Sequence, residues 1–321
     1  MAVYTAVAPD DLAAFLAAYD LGPVVARHGI AEGVENSNYR LETARGRFIL
    51  TIYERRVDPA ELPFFLDLMD HLAARGVPCP IPVKAHDGAT LRTLYGKPAA
   101  IVTFLEGASP RRITAAHAAA LGDALAALHL AGADFGGHRA NALSVAGWRP
   151  LFDACRGRAD GVLPGLGAEL AAELDELEAR WPHDLPRGVI HADLFPDNVF
   201  FAGESKVTGL IDFYFACVDT IAYDIAVCLN AWCFEADGSF NVTKARQMLR
   251  AYRARRPLDD REMAALPLLA RGASLRFLLT RLFDWLNRVE GALVRPKDPL
   301  EYLRRLRFHR GLTGPGAYGL D

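Results

Sequence analysis

The sequence predicts an α+β fold of two lobes, an antiparallel sheet first and a mainly helical region after it. Three observations carry this. Strand-like stretches bounded by turn residues occupy residues 24–53 and 79–104, with one amphipathic helix between them. Helical periodicity dominates beyond residue 111, and residues 105–110, with Gly107 and Pro110, read as a connector. The lobes are therefore drawn at 1–104 and 111–321, with 105–110 as the hinge. The 321 residues, 51% of them hydrophobic, can bury a sizeable core. A net charge of −3 with a pI near 6.3 provides no general basic surface for nucleic acid or anionic lipid.

Residues 1–20 lack a basic region followed by a long apolar core, and no later run approaches the roughly 18 uncharged apolar residues of a membrane span. A cytoplasmic protein without a membrane partner is expected. Cys79, Cys155, Cys217, Cys228 and Cys233 form no C-x-x-C pair and sit mainly among apolar neighbours, so they read as buried thiols. Oligomeric state has no signature here.

In the first lobe, Asp10 is placed to cap a helix carrying Leu12, Phe15, Leu16 and Tyr19 at helical spacing. Strands follow at residues 24–30, 38–43 and 47–53, with Ala44, Arg45 and Gly46 as a turn. Between the first two lies GIAEGVENSNY, containing Gly29, Gly33, Asn36, Ser37 and Asn38. Such a loop either closes an ordinary hairpin or brings backbone N–H groups close to phosphate oxygens. Asp58, Pro59 and Glu61 match a capping box opening a helix with Leu62, Phe65, Leu66, Met69, Leu72 and Ala73 as its apolar stripe and Gly76 at its end. Glu61 is read as part of that cap. Residues 79–83 and 90–95 flank the turn residues His86, Asp87 and Gly88 and are expected to pair as a hairpin.

In the second lobe, Thr114 caps a helix over Ala115–Ala131. Residues 133–160 carry few periodic signals, although Trp148 and Phe152 look like core anchors. A helix over 168–181 bears Glu169, Glu173, Asp175, Glu176 and Glu178, read as a solvated face. A further apolar helix runs from Tyr223 through Trp232, where Asp224 is expected to cap the helix or brace the preceding loop. The last long helix contains SLRFLLTRLFDWLNRV, which puts Arg276 on an otherwise apolar face in need of an anionic partner.

Function concentrates at residues 189–217, VIHADLFPDNVFFAGESKVTGLIDFYFAC. An apolar strand pair with acidic clusters at its ends is a poor way to build an ordinary core. His191, Asp193 and Asn198 follow the H-x-D-x-x-x-x-N spacing of a protein kinase catalytic loop, and Asp212 with Phe213 arrives where a kinase carries Asp-Phe-Gly. Phosphoryl transfer needs positioning and charge more than covalent help. On this pattern Asp193 accepts the acceptor hydroxyl's proton, while Asn198 and Asp212 hold Mg²⁺ through hard oxygen ligands. His191 is expected to anchor the loop.

HADLFPDNV, GLIDFYFAC and YDIAVCLNAWC, with GIAEGVENSNY and LPFFLDLMDHL upstream, resemble the aminoglycoside phosphotransferase-like kinases, and among them the homoserine kinases. The resemblance implies a two-lobed protein-kinase-like fold and ATP-dependent phosphorylation of L-homoserine, a step of threonine biosynthesis. It also implies that the first lobe binds nucleotide, with Gly33, Asn36, Ser37 and Asn38 over the phosphates. Asn230 and Trp232 become substrate-pocket candidates by family position, with core packing as the competing role of Trp232. Arg276 would pair with a protein carboxylate or with the α-carboxylate of the amino-acid substrate. Thr51 departs from the general kinase pattern, standing where a phosphate-binding lysine is expected, with Arg40, Arg47 or Lys84, or else the glycine loop and Mg²⁺, to supply what that lysine would. The rivals are a kinase acting on choline, methylthioribose or an aminoglycoside, and a nucleotide-binding pseudokinase.

Overall fold

The computed structural model describes residues 5–30, 36–54, 58–288 and 296–320. Alternating side chains build the first lobe: in β3 (Gly46–Tyr53), Leu50 and Ile52 face one side while Tyr53 faces the other. With β1 (Val24–Gly29), β2 (Asn36–Thr43), β4 (Leu91–Leu94) and β5 (Lys97–Thr103) it forms one antiparallel sheet in the order β1-β2-β3-β5-β4. Helix α1 (Pro9–Leu16) covers the outer face with Leu12, Phe15 and Leu16. Helix α2 (Leu62–Ala74) packs its apolar stripe into the core shared with the second lobe.

Two details depart from the sequence reading. The N-cap of α1 is Ala8, and Asp10 lies within the first turn, where its charge still favours the positive end of the helix. Strand β4 pairs with β5 around Tyr95 and Gly96, not with residues 79–83. Pro78, Pro80 and Pro82 have no backbone N–H to give a ladder, and the segment makes only an isolated bridge, Pro82 to Val102.

The second lobe comprises α3 (Ala115–Ala131), α4 (Val145–Ala159), α5 (Leu166–Arg180), β6 (Arg187–Ile190), β7 (Val199–Ala202), β8 (Lys206–Leu210), β9 (Cys217–Thr220), α6 (Ile221–Trp232), α7 (Val242–Arg255), α8 (Asp260–Leu286) and α9 (Leu300–Arg310). Helix α4 is missing from the sequence reading: Pro150 and a short apolar stripe hide it, though Trp148 and Phe152 anchor it, fully buried. The acids of α5 are only in part a solvated face: Asp175 is exposed, whereas Glu173 is buried. Glu169 pairs with Arg307 and Arg310, Glu173 with Arg271, and Asp175 and Glu178 with Arg149, the Glu173–Arg271 pair being buried at 2.8 Å.

Helix α8 is central, packed against α4, α6 and α9. It is long and apolar enough to cross a membrane by length and composition, the only such helix among the described residues, and 67% of that stretch is buried inside the lobe. Tertiary packing thus accounts for its apolar character.

Candidate active site

The site is assembled by one buried carboxylate. Asp224, in the first turn of α6, accepts the backbone N–H of His191 at 2.7 Å and of Ala192 at 2.8 Å, and meets Nε2 of His129 at 3.2 Å. Burial works to raise its pKa, but His129 and His191 outweigh burial and hold the carboxyl below its ordinary range. Asp224 therefore braces the catalytic loop rather than capping its helix.

His191 then ties that loop to the strand end carrying Asp212. Its Nε2 lies 3.0 Å from the carbonyl of Ile211, and a carbonyl only accepts, so Nε2 bears the proton. Nδ1 is left to accept from the Asp193 N–H at 3.3 Å. Burial lowers the pKa of the ring, which keeps it neutral as this arrangement requires. His191 is an anchor, as the sequence suggests.

Asn198 closes the loop from the other side. Its Nδ2 donates to the Asp193 carbonyl at 2.9 Å, and its own carbonyl accepts from Ile211 N–H at 3.0 Å. The nitrogen end of the carboxamide is thereby spoken for, and the oxygen is the end that would meet a cation. Asp193, Asn198 and Asp212 are thus laced together through Ile211 and His191.

Two non-glycine residues here are left-handed, Ala192 at φ 63° and Asp212 at φ 65°. Each conformation costs about 1–2 kcal/mol and persists only where the surroundings over-determine it. At Ala192 they do: its N–H is held by Asp224 and its carbonyl accepts from the Arg276 guanidinium. Arg276 is 2% exposed, with Nη2 3.8 Å from Asp193 Oδ1 and its plane against Phe277 and Phe215. Of the two partners the sequence offers Arg276, the structure supplies the protein carboxylate, and that carboxylate belongs to Asp193.

The other substrate candidates are turned inward. Asn230 is fully buried, donating to the Ala226 and Ala270 carbonyls at 3.0 Å each and accepting from Ser274 at 2.7 Å, so it clamps α6 to α8. Trp232 is equally buried, and its Nε1 donates to the Leu194 carbonyl at 2.8 Å, supporting the catalytic loop from behind. Neither side chain faces an open cleft, because both spend their polar atoms on the packing of α6.

In the first lobe, Gly33 lies outside the described residues. Asn38 accepts from Thr51 at 2.8 Å, and Asn36 accepts from Glu54 N–H at 3.3 Å. Ser37 points to the opposite face of β2, accepting from Thr5 N–H at 3.0 Å and donating to Glu54 at 2.7 Å. The three candidate countercharges are taken: Arg40 by Glu42, Arg47 by Glu106, Lys84 by Asp70. At the lysine position Thr51 is joined by Tyr214, two residues past Asp212, whose hydroxyl also donates to Tyr53 at 3.3 Å. Glu61, read as a cap, instead receives Arg139 at 2.8 Å, and Asp58 alone caps the turn. Sequence reasoning passed over His129, Tyr214 and Arg139 because their partners are 78 to 161 residues away or on another lobe.

Residues 27–258 match the model of the phosphotransferase enzyme family. This chain belongs to that family. A homoserine kinase of Rhodospirillum rubrum is 66% identical over 321 residues, spanning all of both chains. A homoserine kinase of Xanthobacter autotrophicus is 65% identical over all of this chain and 99% of its own. Among solved structures, an amicoumacin kinase in complex with AMP-PNP, Ca²⁺ and Ami superposes with a TM-score of 0.71 at 16% identity, over 96% of this chain and 95% of that one. A microcompartment-associated aminopropanol kinase gives 0.61 at 19% identity, over 97% and 95%. Across such low identities the likeness establishes the shared fold, sheet lobe and helical lobe together.

Proposed function

We propose that the chain transfers the γ-phosphoryl group of ATP to the side-chain hydroxyl of L-homoserine, yielding O-phospho-L-homoserine and ADP. The observation that carries this reading is full-length identity of 66% with a homoserine kinase in a chain that keeps Asp193, Asn198 and Asp212 in one laced loop. Residues 1–104 act as the nucleotide lobe, 105–110 as the hinge, and 111–321 as the catalytic and substrate lobe. Gly33, with Asn36 and Asn38 at the start of β2, contacts the phosphates, and Ser37 contributes through its backbone.

The Asp193 side chain keeps 18% of its surface exposed, and its role is to orient the acceptor hydroxyl and receive its proton. Arg276, behind it, holds both the carboxylate and the Ala192 carbonyl, so the direction of the carboxylate is set before substrate arrives. The donor set suits Mg²⁺: an amide oxygen from Asn198 and a carboxylate from the exposed Asp212 are hard ligands. Two of them match an ion that keeps several waters. When held there, Mg²⁺ would supply positive charge against that developing on the transferring phosphoryl group.

A coupled ADP-release assay comparing L-homoserine, choline, 5-methylthioribose and kanamycin tests the reading. Turnover should follow homoserine. Response to one of the others alone would overturn the acceptor and leave phosphoryl transfer standing, while silence with every acceptor would favour the pseudokinase that Thr51 suggests.

A further inference from the structure

An amino-acid acceptor brings a carboxylate into the cleft, and an enclosed carboxylate needs a positively charged fork to meet it. Arg276 is badly placed for this: it is 2% exposed, and both of its terminal nitrogens already face the Ala192 carbonyl and Asp193. We propose that Arg281 and Lys297 form the subsite that takes the carboxylate of the acceptor, one aromatic layer away from Asp193. This rests on the homoserine reading above and assigns the recognition of its acid group.

The layer is Phe195, Phe277 and Tyr302. Phe195, two residues past Asp193, meets Phe277 edge-on at 4.9 Å, and Phe277 lies 5.2 Å from Tyr302. Lys297 holds its ammonium 5.7 Å over Phe195, and the Arg281 and Arg305 guanidinium groups lie 4.4 and 4.5 Å from the Tyr302 ring. The cations therefore sit against the same packed rings as the catalytic loop.

Arg281 is built for the task. Its side chain is 12% exposed, and only Nη1 is engaged, with Glu301 at 2.5 Å and the Asp298 carbonyl at 3.3 Å. Among the described residues its Nε and Nη2 have no hydrogen bond, and that edge is the one that grips a carboxylate in bidentate fashion. Arg305 is spent on the Asn230 carbonyl and on Glu301. Among the described residues the three cations Arg281, Lys297 and Arg305 gather around the single carboxylate of Glu301, while the Asp298 carboxylate accepts from the Leu300 N–H. An acceptor carboxylate would join a group in which cations are in excess.

The test compares L-homoserine with 3-amino-1-propanol, the same amino alcohol without the acid group, in the wild type and in Arg281→Met, Arg281→Lys and Lys297→Met. Losing a charged bidentate contact should raise the KM for homoserine roughly thirty- to hundredfold in Arg281→Met, with kcat and the KM for ATP changing far less. The preference for homoserine over the amino alcohol should fall by the same factor, and Arg281→Lys should recover part of it. Lys297→Met, at an exposed position that cannot unfold the chain, should raise the KM about fivefold. Unchanged preference in both Met variants, or equal loss on both alcohols, overturns the subsite. A wild type inactive on homoserine overturns the parent reading instead, and is recognised before any variant is made.

Discussion

Ala192 shows how single residues set this chemistry. An alanine at φ 63° is held there by a carboxylate on its N–H and a guanidinium on its carbonyl, and the next residue is Asp193. The carboxylate thus projects from backbone that cannot relax, which is what orienting a hydroxyl requires. Asp193→Asn keeps the shape and removes the carboxylate proposed as proton acceptor, so kcat should fall a hundredfold or more with the KM for ATP little changed. Undiminished turnover would remove Asp193 from the mechanism. At this scale the sequence was informative: the spacing of His191, Asp193, Asn198 and Asp212 singles out residues that the fold ties into one hydrogen-bonded group. It was silent on Ala192, because a strained φ leaves no trace in an alanine. It misdirected Asn230 and Trp232, whose chemistry permits a pocket as readily as a clamp.

At the scale of elements, close helix packing decides which residues are tolerated. Helices α3 and α7 approach so closely at Gly122 that an added Cβ would lie 2.1 Å from the Met248 carbonyl oxygen. Gly122→Ala should therefore cost about 3 kcal/mol by overpacking, read as a lower denaturant midpoint, despite alanine's better helix propensity. A midpoint equal to or above wild type would show that the two helices can part cheaply. Elements with strong local signals were legible: Thr114 and the apolar run behind it mark α3, and prolines with turn residues mark the strand ends. Helix α4 was not, since Pro150 interrupts its pattern and its burial comes from α8. The β4–β5 hairpin was mispaired because strand propensity in residues 79–83 says nothing about which N–H groups the prolines remove.

Across the whole molecule, the lobes are joined behind the site as well as through the hinge. Tyr214 reaches Tyr53, and Arg139 connects Glu61 with the Ala216 carbonyl at 3.1 Å. A protein kinase links its strand lysine to a glutamate on the neighbouring helix, whereas here Tyr53 of β3 meets Tyr214 beyond Asp212 and Glu61 meets Arg139. Residues 309–320 also contribute to the core, through His309, Tyr318 and Leu320. His309 packs among Phe234, Phe240 and Phe308, and its Nδ1 lies 2.8 Å from the Tyr318 hydroxyl. Burial lowers its pKa to about 3. The unfolded chain takes up that proton near 6.5, so between these values it binds more protons than the folded one. Stability should fall as pH drops through this window, by up to about 1.4 kcal/mol per pH unit from this group, with His191 acting in the same direction. Denaturant midpoints measured from pH 7 to pH 4.5 should decline less steeply in His309→Phe; parallel curves would show that His309 does not titrate with unfolding.

The sequence by itself determined the class of reaction and the fold class, because both depend on local order: acids and an amide at set spacings, strands before helices. It also carried the resemblance that points to homoserine. Only the tertiary structure decided which polar residues work in the cleft and which hold the core. Asp224, Asn230 and Arg276 are all apolar-face exceptions in the sequence, and their roles differ solely in what distant helices bring within hydrogen-bond reach.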